Sequence, residues 1–117
     1  MTDTMPPLHR QARLEIDAFS ALANPIRRKI LVQLRGGPRR VTELARRFDV
    51  GRPAVSEHLQ VLRRAGLVRD EARGRERYYH LDPRPMGEVA AWIDAFRRYW
   101  EERMAALERT LEEEEKR

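Results

Sequence analysis

Between residues 8 and 23, apolar side chains recur at Leu14, Ile16, Ala18, Phe19 and Leu22, which predicts an amphipathic helix. Residues 1–7 ahead of it read as a disordered tail, kept out of the helix by Pro6 and Pro7. The stretch "NPIRRKILVQLRGG" predicts a second helix. Asn24 caps it, Pro25 takes the first helical position, Ile26, Ile30, Leu31 and Leu34 form its buried stripe, and Gly36-Gly37 stop it. A third, short helix falls in "VTELARRFDV", with Thr42 as cap and Leu44, Ala45 and Phe48 facing inward. After a tight turn, a fourth helix runs over 52–65 until Gly66 ends it. There the period changes. "LVRDE" and "ERYYHL" alternate as strands around a turn at "ARGR", and Pro83 and Pro85 close that unit. A last helix from about 86 to 113 spaces Val89, Ile93, Phe96, Trp100, Met104, Leu107 and Leu111 by threes and fours, with Trp92 alongside, as in a heptad seam.

Two helices joined by so tight a turn describe a helix-turn-helix. Winding 52–65 at helical pitch puts Val55, Leu59 and Leu62 on one stripe, with His58 at its margin. Pro53, Ser56, Glu57, Gln60 and Arg64 point the other way, with Arg52 and Arg63 on the shoulder. For an isolated helix, a solvated face would explain that ridge. Its neighbours change the reading. The second helix of such a pair is the one that enters a major groove, where Ser, Gln and Arg reach base edges and Glu57 could accept from cytosine. The hairpin that follows carries Arg73 and Arg75 at its tip and Arg77 on its return strand, the make-up of a charged wing. Arg39 and Arg40 precede the third helix and Arg46 and Arg47 lie in it, where phosphates would flank the groove. The expected fold is mainly α with a small β-hairpin wing: a winged helix-turn-helix over 8–83 in the order α-α-α-α-β-β-α, then a dimerisation helix over 84–117.

Charge sharpens this. The net +5 is unevenly spread: residues 1–83 hold 17 basic against 10 acidic side chains, and 84–117 hold 7 against 9. Residues 27–77 alone hold 15 against 6, a cationic patch coincident with the motif. Nearly all of it is arginine, whose planar fork suits phosphate and guanine edges. Double-stranded DNA is the partner such a patch fits, with phosphate neutralisation supplying much of the affinity.

The stretches "FSALANPIRRKILVQL" and "VTELARRFDVGRPAVSEHLQVLRRAGLVRDEARGRERYYHL" resemble the winged-helix repressors of the ArsR/SmtB family. The resemblance is close over residues 19–81 and looser over the last helix. It implies a homodimeric repressor or autorepressor that binds a near-palindromic operator and is released by a signal. By that resemblance the base-reading residues are Arg52, Pro53, Ser56 and Glu57, with Arg75 on the wing. The family more often has Ser or Gln where Gly51, Arg52 and Pro53 stand, so the operator sequence does not carry over.

The family's metal-sensing members use a Cys-x-Cys cluster in the third helix, or Asp and His on the last. "VTELARRF" has no thiol, and beyond Asp94 the implied ligand positions hold Phe96, Leu107 and Thr110. No metal and no cofactor is expected. A small-molecule or protein effector stays open. His9, His58 and His80 have ordinary places at a terminus, a core margin and an outer strand face.

The last helix's seam is too long and too apolar to stand exposed in a monomer of this size. Leu14, Phe19, Val89, Trp92, Ile93, Phe96, Trp100 and Leu107 are therefore expected to build a homodimer interface between first and last helices; an apolar effector entering the same aromatic cluster is the second reading. With no cysteine, no phosphate-binding glycine loop and no nucleophile–base pairing, an enzyme is excluded on inventory. No apolar run reaches the length of a membrane span and no secretory signal opens the chain, so a cytoplasmic location is expected. The alternative to DNA binding is a winged-helix interaction module whose basic face meets an acidic partner.

Overall fold

The computed structural model describes residues 16–117. Leu14, His9 and the 1–7 tail lie outside the described residues, as does residues 8–15 of the expected first helix. The elements are α1 (Ala18–Leu22), α2 (Pro25–Leu34), β1 (Arg39–Arg40), α3 (Val41–Arg46), α4 (Arg52–Arg64), β2 (Val68–Arg73), β3 (Glu76–Leu81) and α5 (Met86–Glu115). The chain divides into two compact units, the first ending at Met86 and the second being Gly87–Arg117.

Local chemistry explains most boundaries in the first unit. Within the described residues, α1 begins only at Ala18, because the Asp17 carboxylate accepts the Ser20 N–H at 2.8 Å and caps it. That corrects the expectation of a helix already running through Ile16. The Asn24 side chain accepts from the N–H groups of Ile26 and Arg27 at 2.8 and 3.1 Å, and Pro25 follows at the first helical position, as expected. At the end of α4, Gly66 takes φ +77. The Leu67 N–H then reaches back to the Leu62 carbonyl and the Gly66 N–H to that of Arg63, the paired bonds of a Schellman motif. Leu62 and Leu67 are both fully buried at this turn, so the stop signal and the core are built together.

The sheet is antiparallel in the order β1-β3-β2. Arg73 faces Glu76 across the hairpin, leaving Gly74-Arg75 as the two-residue turn. Gly74 has φ +63 and Arg75 does not adopt a positive φ, the glycine-first pattern of a type II′ turn. The third strand is a correction to the expected order. Arg39 pairs with Tyr79 and Arg40 with Tyr78, so the residues before α3 are sheet rather than loop. Thr42 is also not the cap of α3. Arg40 takes that position, and Glu43 Oε1 accepts its backbone N–H at 3.3 Å and its Nε at 3.0 Å.

The core of this unit is made by Ile30, Leu31 and Leu34 of α2, Leu44 of α3, the Val55-Leu59-Leu62 stripe of α4, and Leu67, Val68 and Tyr79 from the sheet side, with Ala18 and Ala21 of α1. Ile26 and Phe48 are only half-buried. α5 is different. Its 30 residues include none that is buried, and Trp92, Ile93, Phe96, Tyr99, Trp100, Met104, Leu107 and Leu111 are all exposed.

Candidate nucleic-acid interface

Burying Val55, Leu59 and Leu62 fixes the rotation of α4. Arg52, Pro53, Glu57, Gln60, Arg63 and Arg64 are consequently exposed and Ser56 is half-buried. The expected ridge therefore exists as one continuous face. α4 is held from behind by Arg27, which sequence reading passed over. Its guanidinium donates to the carbonyls of Ala21 at 2.7 Å and Ser20 at 3.2 Å, and lies 3.4 Å from His58 Nδ1. An arginine can only donate, so the His58 nitrogen facing it accepts. One side chain thus joins the end of α1 to the inner margin of α4.

The wing has two differently wired faces. On one, Asp70 accepts from Arg77 of β3 and forms an ion pair with Arg63 of α4, whose Nε lies 3.1 Å from its Oδ1. On the other, Glu71 pairs with Arg73 and lies 3.2 Å from His80 Nε2, while the Arg73 guanidinium sits 4.5 Å from the centre of the Tyr78 ring. Arg73, then His80, hold the Glu71 carboxyl below its ordinary value. Near the turn end of β3, Arg40 bridges Glu43 and Glu76 at 3.0 and 2.8 Å, and Arg39 lies 3.8 Å from Glu43. The bonds from Arg40 hold Glu43 below its ordinary value and raise the Arg40 guanidinium above its own.

The predicted basic residues therefore sort into two kinds. Arg39, Arg40, Arg63, Arg73 and Arg77 are tied to carboxylates of their own fold, and Arg47 donates to Gln33 Oε1 at 2.7 Å. Among the described residues, Arg46, Arg52, Arg64 and Arg75 have no such partner, so their whole charge is available outward. A cleft of about 310 Å³ gathers Arg52 from the start of α4, Arg75 and Arg77 from the wing, and Arg40, Val41 and Thr42 beside them, with Glu76 the one acid in its wall. Its arginine forks suit phosphate oxygens.

Among the described residues no cluster of His, Asp and Glu could hold a metal ion, and no helix is long and apolar enough to cross a membrane. The model of the arsR family of bacterial regulatory proteins matches residues 24–70, from the α2 cap through α4 to the first strand of the wing. The HTH-type transcriptional regulator Rv2034 of Mycobacterium tuberculosis is 47% identical over 79 residues, covering 68% of this chain and 74% of that protein. The chain belongs to the ArsR family. The transcriptional repressor SdpR of Bacillus subtilis, 32% identical, matches over 66% of this chain and 86% of its own. A solved structure described as a possible transcriptional regulator for arsenical resistance superposes with a TM-score of 0.64 at 41% identity, covering 68% of this chain and 83% of that one. An ArsR-like regulator from Rhodococcus sp. RHA1 gives 0.61 at 30% identity over 86% and 93%. This ArsR-family protein is thus a DNA-binding transcriptional regulator with a winged helix-turn-helix fold, and not an enzyme.

Proposed function

We propose that this ArsR-family regulator is a homodimeric, sequence-specific repressor of a near-palindromic operator, with α4 in the major groove and the wing of residues 69–81 along the backbone or minor groove. The observation that carries this reading is the layout of unpaired charge. Arg52 and Arg64 share the exposed face of α4 with Pro53, Glu57, Gln60 and the half-buried Ser56, and Arg75 of the wing lines one cleft with Arg52. Phosphate contacts set position and base-edge contacts set sequence, and the two classes of side chain are adjacent here. Arg63, Arg73 and Arg77, and more so Arg39 and Arg40, act chiefly in shaping the wing, while keeping N–H groups for phosphates. The exposed seam of α5 supports the dimer, since an apolar face of that length stays in water only at a large cost. Val89, Trp92, Ile93, Phe96, Trp100 and Leu107 lie on it, and the proposed interface also takes in Leu14 and Phe19 of the first helix.

The test is duplex binding across a salt series. Log affinity should fall linearly with log salt for any duplex, and Arg75→Ala should lower affinity for selected and random duplexes alike. Gln60→Ala should instead weaken preference at a single base pair, by about 1–3 kcal/mol. If the protein shifts no double-stranded fragment in dilute buffer but retains an acidic polypeptide, its basic face serves protein contact and the reading fails.

A further inference from the structure

We propose that Asp70 is a positioning residue for DNA recognition: it fixes the angle between α4 and the wing, and it decides how much positive charge the two present. The proposal rests on the groove-binding reading above. The Asp70 carboxylate, whose side chain is only 11% exposed, accepts a hydrogen bond at one oxygen from Arg77 Nη1 on β3 and holds an ion pair at the other with Arg63 Nε, 3.1 Å away in the last turn of α4. Those arginines are each 55% exposed, so they reach solvent while the acid between them does not. Asp70 itself has no face to offer DNA. At its foot the joint between α4 and β2 is the Gly66 turn with Leu62, Leu67 and Val68 buried beneath it; further along the strand, among the described residues, the Asp70–Arg63 contact is the one ion pair that ties α4 to the sheet. Register reinforces the reading. Val68, Asp70 and Ala72 alternate on one face of β2, and Val68 there is buried, so the carboxylate is directed to the helix side of the sheet. Exposed ion pairs add little stability. What a shared, shielded carboxylate contributes is orientation, by holding two arginines from two elements at one point.

The chain has no cysteine, which makes a direct measurement possible. Spin labels on R64C and R75C, in protein diluted into excess unlabelled chain, report the helix-to-wing-tip distance without DNA. Asp70→Asn should broaden that distribution, and Asp70→Glu should keep it narrow. With duplex selected by the unsubstituted protein from a random library, D70N should lose about tenfold in discrimination against random duplex, the size of one mismatched base pair. Its affinity for random duplex should rise and the log–log salt slope steepen by about 1 to 2, as Arg63 and Arg77 turn to phosphates. A D70N distribution as narrow as the unsubstituted one overturns the proposal. So do equal losses on both duplexes with an unchanged slope, which a loosened fold alone would give. Should the unsubstituted protein bind no duplex, the groove reading fails instead, and the label distances still decide the role of Asp70.

Discussion

α2 and α5 carry the same kind of signal, apolar residues at spacings of three and four, and the structure treats them in opposite ways. In α2 the stripe of Ile30, Leu31 and Leu34 is closed over by the chain's own α4 and sheet. In α5 a longer stripe has no buried residue, with Trp92 57%, Phe96 51% and Trp100 61% exposed. Periodicity announces that a face is to be covered, and says nothing about which chain covers it. The short helices of the first unit find partners within a few dozen residues. A 30-residue helix with no buried residue carries a long apolar face, which is the physical ground for assigning it a second copy.

The largest effect that separates the two helices is a cavity. Ile30→Ala, at a fully buried position, should cost about 2–5 kcal/mol in denaturant unfolding, by an increment independent of protein concentration. Phe96→Asp acts on the other class of face. It should weaken self-association by roughly 2 kcal/mol or more, about thirtyfold in Kd, while the first unit stays folded. Sedimentation would show monomers, and thermal stability would lose the rise with protein concentration that a dimer must show. If the unsubstituted chain unfolds at the same temperature over a hundredfold range of concentration, α5 is not the interface and its comparison with α2 has been misread.

What was legible in the sequence follows from range. Asn24-Pro25, Gly66 and Gly74 announce their caps and turn because the chemistry that makes them is completed within three or four residues. The α4 ridge was legible because one helix fixes its own faces. Thr42 misled because a threonine before an apolar run looks like a cap. The true boundary is set by Glu43 reaching back to Arg40, and by Tyr78 and Tyr79 turning Arg39-Arg40 into a strand. That pairing joins residues nearly 40 apart, beyond any local pattern. Charge counting failed in a related way. It located the basic patch, but could not tell Arg52 and Arg75, which are unpaired among the described residues, from Arg63 and Arg77, which share Asp70. The acid responsible is an ordinary strand residue until register and helix packing bring the three together.

Acid offers a weaker lever on the first unit, and one whose sign is fixed. Asp82, at the exit of β3, accepts the Nη2 of Arg84 at 2.6 Å and its Nε at 2.9 Å, and these bonds lower its carboxyl from 3.8 to about 2. Glu43 and Glu71 are lowered from 4.5 by their arginines in the same way. A carboxyl whose pKa is depressed in the folded state contributes stability that is whole above its unfolded value and is lost as pH falls through its folded one. Stability should therefore hold from neutrality to about pH 4.5, then fall toward pH 2. Asp82→Asn should be slightly less stable than the unsubstituted chain at neutral pH, and the two curves should converge between pH 3.8 and about 2. Unfolding followed by the near-ultraviolet signal of Tyr78 and Tyr79 would report on the first unit alone if Trp92, Tyr99 and Trp100 of α5 are replaced by phenylalanine. A gap between the curves that persists undiminished to pH 2 would mean that Asp82 acts through the shape of the strand exit and not through its charge, since by then about half of the folded-state carboxylate is protonated and most of the unfolded-state one.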